Sequence, residues 1–174
     1  LKMKIMTSSS VESVTVTEDK CQVRIKSPGG EVTIETDVVL SAAGVTTNVE
    51  GLGLETTGVK VEKGKVIVDD FYLTTVPGIY AIGDIVHGPA LAHVASAEGI
   101  ICVEKIAGLD PMPLDYGNIP SCTYTSPEIA SCGLTEAAAR EAGYDIKVGK
   151  FPFTASGKAS ASGSKEGFVK LIFD

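Results

Sequence analysis

The chain has 174 residues, 44% apolar and 21% charged, with 15 Lys+Arg against 22 Asp+Glu and a net charge of −7. That is the make-up of a globular protein with room for one domain or parts of two, and it excludes a disordered tail, a collagen and a coiled coil. No run of five basic residues occurs, so no nucleic-acid partner is expected, and the most apolar stretch, 86–103, is broken by His87, His93 and Glu98, so no membrane span is expected either.

From Val11 to Ala43 apolar residues recur with period two: Val14 and Val16, then Val23 and Ile25, then Val32 and Ile34, with the turn signal Ser27-Pro-Gly-Gly30 between two of the runs. The pattern predicts an antiparallel meander with one buried face. Asp37-Val-Val-Leu-Ser-Ala-Ala-Gly44 is continuously apolar and predicts a fully buried strand. Residues 45–64 are glycine-rich loop, followed by a short strand Lys65–Asp69, a turn at Thr74–Gly78 and a second buried strand Ile79–Gly83. Pro89 and Gly108 bracket a helix over Ala90–Ala107 that is apolar nearly all round, which predicts burial. Pro111–Pro120 reads as a linker. Beyond it come strands at Ser121–Thr125 and Ile129–Leu134, a helix Thr135–Ala142 capped by Thr135 and stopped by Gly143, and strands at Ile146–Phe153 and Phe168–Phe173 around a Ser/Gly/Ala loop. The fold class is α/β passing into α+β. Leu1 is not an initiator Met, and the last residues form a strand pattern with nothing after it, so both ends read as cuts through a longer protein.

The stretch that carries chemistry is Thr75-Val-Pro-Gly-Ile-Tyr-Ala-Ile-Gly-Asp84 with Ala90-Leu-Ala-His93 after it. Gly83 lets a ligand approach the backbone, and Asp84 then stands at the carboxyl edge of a sheet, where α/β folds bind ligands. A carboxylate there accepts hydrogen bonds from sugar or sugar-alcohol hydroxyls. The following helix start offers free N–H groups at Ala90 to Ala92, which favour negative charge on a ligand.

Taken whole, this run resembles the second flavin-binding segment of the FAD-dependent pyridine nucleotide-disulfide oxidoreductases. Residues 37–48 resemble the end of that family's NAD domain, 50–55 and 66–69 its return to the flavin domain, and 119–136 the start of its dimerisation domain. The resemblance implies three pieces: the C-terminal part of an NAD-binding domain (1–48), the C-terminal part of an FAD-binding domain (49–116) and the start of an α+β dimerisation domain (117–174). It further implies FAD and NAD as cofactors. Asp84 would bind the ribityl chain, Ala90, Leu91, Ala92 and His93 would line the isoalloxazine, and Gly44 would lie beside the nicotinamide cofactor. Val45, Thr46 and Thr47 depart from the Arg and Pro usual after that glycine. Ala90-Leu-Ala-His93, Tyr124-Thr-Ser-Pro-Glu128 and Val148-Gly-Lys-Phe-Pro-Phe153 point within the family to members that oxidise dihydrolipoyl groups. Such members form homodimers through the C-terminal domain and serve lipoyl domains of 2-oxo acid dehydrogenase complexes or the glycine cleavage system. The alternatives are a glutathione or mercuric reductase type, or a non-catalytic structural or dimerisation module.

Several parts of that chemistry are not in this sequence. Gly51-Leu-Gly-Leu-Glu-Thr56 lacks the third glycine of a dinucleotide fingerprint and reads as a turn. Cys21, Cys102, Cys122 and Cys132 form no C-x-x-x-x-C redox pair and no metal-ligand spacing. With no secretory signal after Leu1-Lys-Met-Lys4, they read as reduced thiols of a cytoplasmic protein and as small core residues. His93 and Glu98 have the five-residue spacing of the family's catalytic pair. On a helix five residues place them about 140° apart, so a dyad is rejected, no catalytic residue is assigned and the chain alone is expected to be inactive. His87 is expected in a loop. Lys158, Ser160 and Ser162 are expected in a solvated one.

Overall fold

A computed structural model describes residues 3–174. Two compact units divide at Val45 and Thr46, and each is described by itself.

The first unit is the predicted meander. Strands β1 (Ser10–Val16), β2 (Cys21–Ser27) and β3 (Gly30–Thr36) pair antiparallel in the order β1-β2-β3. The register sets Val14 opposite Val23 and Val23 opposite Ile34, so the period-two apolar residues share one face. Val23, on the central strand, is buried, while Val11, Val14 and Val16 on β1 stay exposed, so the one-sided face is covered only at its centre. The expected strand 37–44 is not one: its backbone joins no ladder among the described residues, with only the Val38 carbonyl accepting from the Thr36 hydroxyl, and Val38 and Leu40 are 77% and 88% exposed. A continuous apolar run becomes a strand only when other strands lie on either side of it.

In the second unit, one helical turn, α1 (Leu54–Thr57), and strand β4 (Val61–Glu62) lie within the stretch expected as loop, and β4 pairs in a short hairpin with β5 (Lys65–Val66) at the start of the expected strand. Val59, Val66, Ala81 and Val86 form the core beneath it, with Leu54, Val68, Val76, Ile79 and Ile85 packed around them. The expected strands 65–69 and 79–83 shrink to β5 and two single bridges, Val68 with Thr74 and Leu73 with Tyr80. Asp69 organises the intervening turn: its carboxylate accepts from the N–H groups of Phe71 and Leu73 at 2.9 and 3.0 Å, which holds Tyr72 at φ 69°.

Helix α2 covers Ala92–Ile106. It starts two residues later than expected because Leu91 is extended (φ −136°) and its N–H bonds the Pro89 carbonyl. It ends as expected at Gly108, in the left-handed conformation, with Gly108 N–H on Lys105 and Leu109 N–H on Glu104. Its burial departs from the expectation. Only the stripe Val94, Glu98, Cys102 is buried, and Ile100, Val103 and Ile106 are exposed.

The remainder consists of the hairpins β6 (Ser121–Thr123) with β7 (Ile129–Ser131) and β8 (Lys147–Pro152) with β9 (Phe168–Phe173), plus two short helices. Helix α3 (Glu136–Glu141) has the predicted Thr135 cap, whose hydroxyl accepts from Ala138 N–H, and stops at Gly143. The expected Ser/Gly/Ala loop contains helix α4 (Gly157–Ser162), so Lys158, Ser160 and Ser162 are helical. Ser156 caps it, Ala159 is its buried anchor and Gly163 ends it in the left-handed region. Cys122 and Cys132 are exposed rather than core, because both sit on the uncovered β6–β7 ribbon or just beyond it; Cys102 alone of the four thiols is fully buried.

Candidate functional site

The site grows from the turn that follows Ala81. Gly83–Ile85 form one 3-10 turn closed by Val86 N–H on the Gly83 carbonyl. Gly83 has φ +76°, and a Cβ there would lie 3.3 Å from the Ala95 Cβ, so this backbone rests directly on α2. That contact is available only to glycine. Val86 beneath it is 1% exposed and locks the turn to the core. Asp84 is thereby held outward: its side chain is exposed and has no partner among the described residues, while its carbonyl accepts from Lys65 Nζ.

Leu91, the N-cap of α2, contributes no side-chain cap. Val94 and Ala95 N–H groups both use the Leu91 carbonyl, and the N–H groups of Ala92 and His93 have no partner among the described residues. Among the described residues, only the Leu91 N–H of the expected donors at Ala90 to Ala92 is used, by the Pro89 carbonyl; within the helix itself the free donors lie at Ala92 and His93. Asp84, Ala90, Leu91, Ala92 and His93 all belong to the second unit, and the Asp84 turn packs on the first turns of α2 through Gly83 and Ala95. Gly44, with φ +120° and open space around it, belongs to the first unit. His93 Nε2 lies 3.2 Å from the Pro120 carbonyl, and its ring borders a cleft of about 260 Å³ shared with Leu114, Asp115, Asn118 and Ile119.

Three residues that sequence reasoning missed tie this region together. Glu98 is 1% exposed, and both its oxygens accept at 2.6 Å: Oε2 from Gly83 N–H and Oε1 from the Tyr116 hydroxyl. The Tyr116 hydroxyl also lies 3.3 Å from that of Tyr72, which is 3% exposed. Glu98 has a sequence signal: it is the one acid on the stripe Val94–Glu98–Cys102, the side of α2 that is buried. The two tyrosines carry no such local signal. The His93 and Glu98 side chains have different partners, the Pro120 carbonyl for His93 and the Gly83 N–H and Tyr116 hydroxyl for Glu98. His87 is exposed in a loop, as expected.

Burial is the main force raising the pKa of both tyrosines. The Glu98 hydrogen bond adds to it at Tyr116, while the Tyr116 hydrogen bond partly offsets it at Tyr72. Tyr116 is 40% exposed as a residue, so solvent screens part of its shift. Above about pH 10 the unfolded chain gives up these protons first and the native state retains them. Their stabilisation is therefore complete below about pH 10 and is lost as the pH climbs through the raised values. Urea midpoints should fall more steeply between about pH 10 and pH 12 in the unmodified protein than in Tyr72→Phe/Tyr116→Phe. Equal slopes would refute the assignment.

A carboxylate acceptor held outward, two free helix-start donors and a glycine that brings backbone to the helix make a donor and acceptor set suited to a polyhydroxyl chain bearing an electron-rich ring. It fits part of a flavin. Residues 1–99 match the family model described as pyridine nucleotide-disulphide oxidoreductase, and residues 119–174 match the dimerisation domain of the same family. The chain belongs to the pyridine nucleotide-disulphide oxidoreductases. It is 49% identical over 99% of its length to a dihydrolipoyl dehydrogenase of Rhizobium etli, and 46% identical over 94% to one of Bacillus subtilis. It covers 36% and 34% of those proteins, so it spans about a third of the length of the curated relatives it matches. Among solved structures, LpdA from Mycobacterium tuberculosis superposes with a TM-score of 0.83 at 28% identity, covering 94% of this chain and 35% of that one. The HOCl-induced flavoprotein disulfide reductase RclA from Escherichia coli gives 0.80 at 29%, covering 95% and 38%. No helix among the described residues is long and apolar enough to cross a membrane.

Proposed function

We propose that this chain is a stretch of a dihydrolipoyl dehydrogenase and forms one side of its FAD site. The observation that carries the proposal is 49% identity across 99% of the chain to a protein of that name. Residues 1–48 then close an NAD-binding domain, 49–116 an FAD-binding domain, and 117–174 open the domain through which a homodimer forms. Bound FAD supplies two-electron transfer between a dithiol and a nicotinamide. The work of this chain is to hold that group. Asp84 accepts hydrogen bonds from the ribityl hydroxyls. The backbone of Ala90, Leu91, Ala92 and His93 would border the isoalloxazine, and the unpaired N–H groups of Ala92 and His93 would favour a negatively charged form of it. Gly44, with no Cβ, allows the nicotinamide cofactor to come close. The substrates are dihydrolipoyl groups, carried on lipoyl domains of 2-oxo acid dehydrogenase complexes or the glycine cleavage system, in the cytoplasm.

The dithiol chemistry needs a C-x-x-x-x-C pair that these 174 residues do not contain. Accordingly, the full-length protein should reduce lipoamide with NADH, and the purified 174-residue chain should show no turnover. Reduction of glutathione disulfide or mercuric ion by the full-length protein, with lipoamide untouched, would move the proposal to another branch of the family. Turnover by the short chain would refute its division of labour.

A further inference from the structure

Glu98 is a costly residue to place where it stands. It lies one helical turn from Val94 and one from Cys102, and all three are buried. An apolar side chain would fill that position without the desolvation penalty of a carboxylate. What an apolar residue would not do is meet the two donors aimed at it. The Gly83 N–H stands on backbone pressed against Ala95, and the Tyr116 hydroxyl comes from a different segment; both reach the carboxylate at 2.6 Å.

The two donors belong to two different segments that reach the candidate flavin residues. Gly83 immediately precedes Asp84, the outward carboxylate. Tyr116 opens the 3-10 turn Tyr116–Asn118, which leads to Pro120, and the Pro120 carbonyl is the partner of His93. Tyr72 supports the arrangement from behind, with its hydroxyl beside that of Tyr116. Glu98 itself is shut away from any ligand, so whatever it does for the site it does through these neighbours.

We propose that Glu98 is a positioning residue for cofactor retention: one buried carboxylate clamps the Asp84 turn and the 114–120 segment to α2, and so sets the width of the flavin half-site. The inference rests on the flavin reading above. It goes beyond it in assigning the geometry of the half-site to a residue that touches no ligand.

The test is the rate at which the full-length protein releases FAD, followed by the rise of free-flavin fluorescence. Glu98→Ala should release FAD about 10- to 100-fold faster, because two hydrogen bonds to a charged group are lost. Glu98→Gln should stay within about threefold of the unmodified protein, since its amide oxygen still accepts from Gly83 and its NH₂ can donate to the Tyr116 oxygen. Tyr116→Phe, which keeps the ring and loses one bond, should fall between them, and it decides the matter if Glu98→Ala does not fold. A role in folding alone would lower the melting temperature without altering the release rate. Unchanged release in Glu98→Ala and Tyr116→Phe, with faster release in Asp84→Ala, overturns this inference and leaves the flavin reading standing. A full-length protein that takes up no FAD overturns both.

Discussion

Gly88→Ala should destabilise the protein by about 3 kcal/mol, a large share of the stability of an ordinary domain. Two independent penalties combine. Gly88 has φ +132°, a region that residues with a Cβ rarely enter. An added Cβ would also lie 2.7 Å from Cε1 and 3.4 Å from Cδ1 of Tyr116. The ring cannot simply swing aside, because its hydroxyl is bonded to Glu98 and adjoins Tyr72. Admitting the methyl therefore strains the backbone and loosens a buried carboxylate from one of its two donors. The urea midpoint of the full-length protein reads the sum. A double-mutant cycle separates the parts: in a Tyr116→Ala background the steric share disappears, and Gly88→Ala should cost only the backbone share, about 1–2 kcal/mol. An equal cost in both backgrounds would show that Tyr116 does not restrict this glycine.

Features set by a few neighbouring residues are legible in the sequence. Gly108 and Gly143 end α2 and α3 in the left-handed conformation, each closing the same pair of backbone hydrogen bonds, and Thr135 caps α3 with its own hydroxyl. Ser156 and Gly163 are equally local signals and mark α4, but the Ser- and Gly-rich composition around them hides a one-and-a-half-turn helix. The misreadings concern partners distant in sequence. Residues 37–44 have the composition of a buried strand, yet strand formation depends on other strands that composition does not specify. The exposure of Ile100, Val103 and Ile106 on α2, and of Cys122 and Cys132 on or beside an open ribbon, has the same origin: apolar character tells what a side chain prefers, and neighbours decide what it receives.

The candidate site divides in the same way. Asp84 and the helix start at Ala92 are encoded within ten residues, and Gly83, between the buried Ala81 and Asp84, announces the turn. The Glu98 clamp joins Gly83, Glu98 and Tyr116, which are separated by 15 and 18 residues, and no local pattern announces that connection.

Asp84→Ala should weaken FAD binding by the full-length protein about 100-fold, with little change in folding. The two halves of that expectation have separate grounds. Folding should be spared because the carboxylate is exposed and has no partner among the described residues; the turn is held by Gly83, Val86 and the Lys65 bond to the Asp84 carbonyl, all of which an alanine keeps. Binding should suffer because a carboxylate accepting from hydroxyls makes charge-assisted hydrogen bonds of about 1.5–3 kcal/mol each, and two such bonds suffice for a 100-fold loss. Asp84→Asn keeps one acceptor oxygen and should lose about tenfold. Equilibrium dialysis of FAD against apoprotein, with melting temperatures of the apo forms alongside, measures both halves. A variant that retains its flavin through exhaustive dialysis would remove Asp84 from the site. A variant whose apo form melts many degrees lower would show instead that the carboxylate is a structural part of the turn, and the helix-start donors of Ala92 and His93 would then be left as the chain's direct contribution to holding the cofactor.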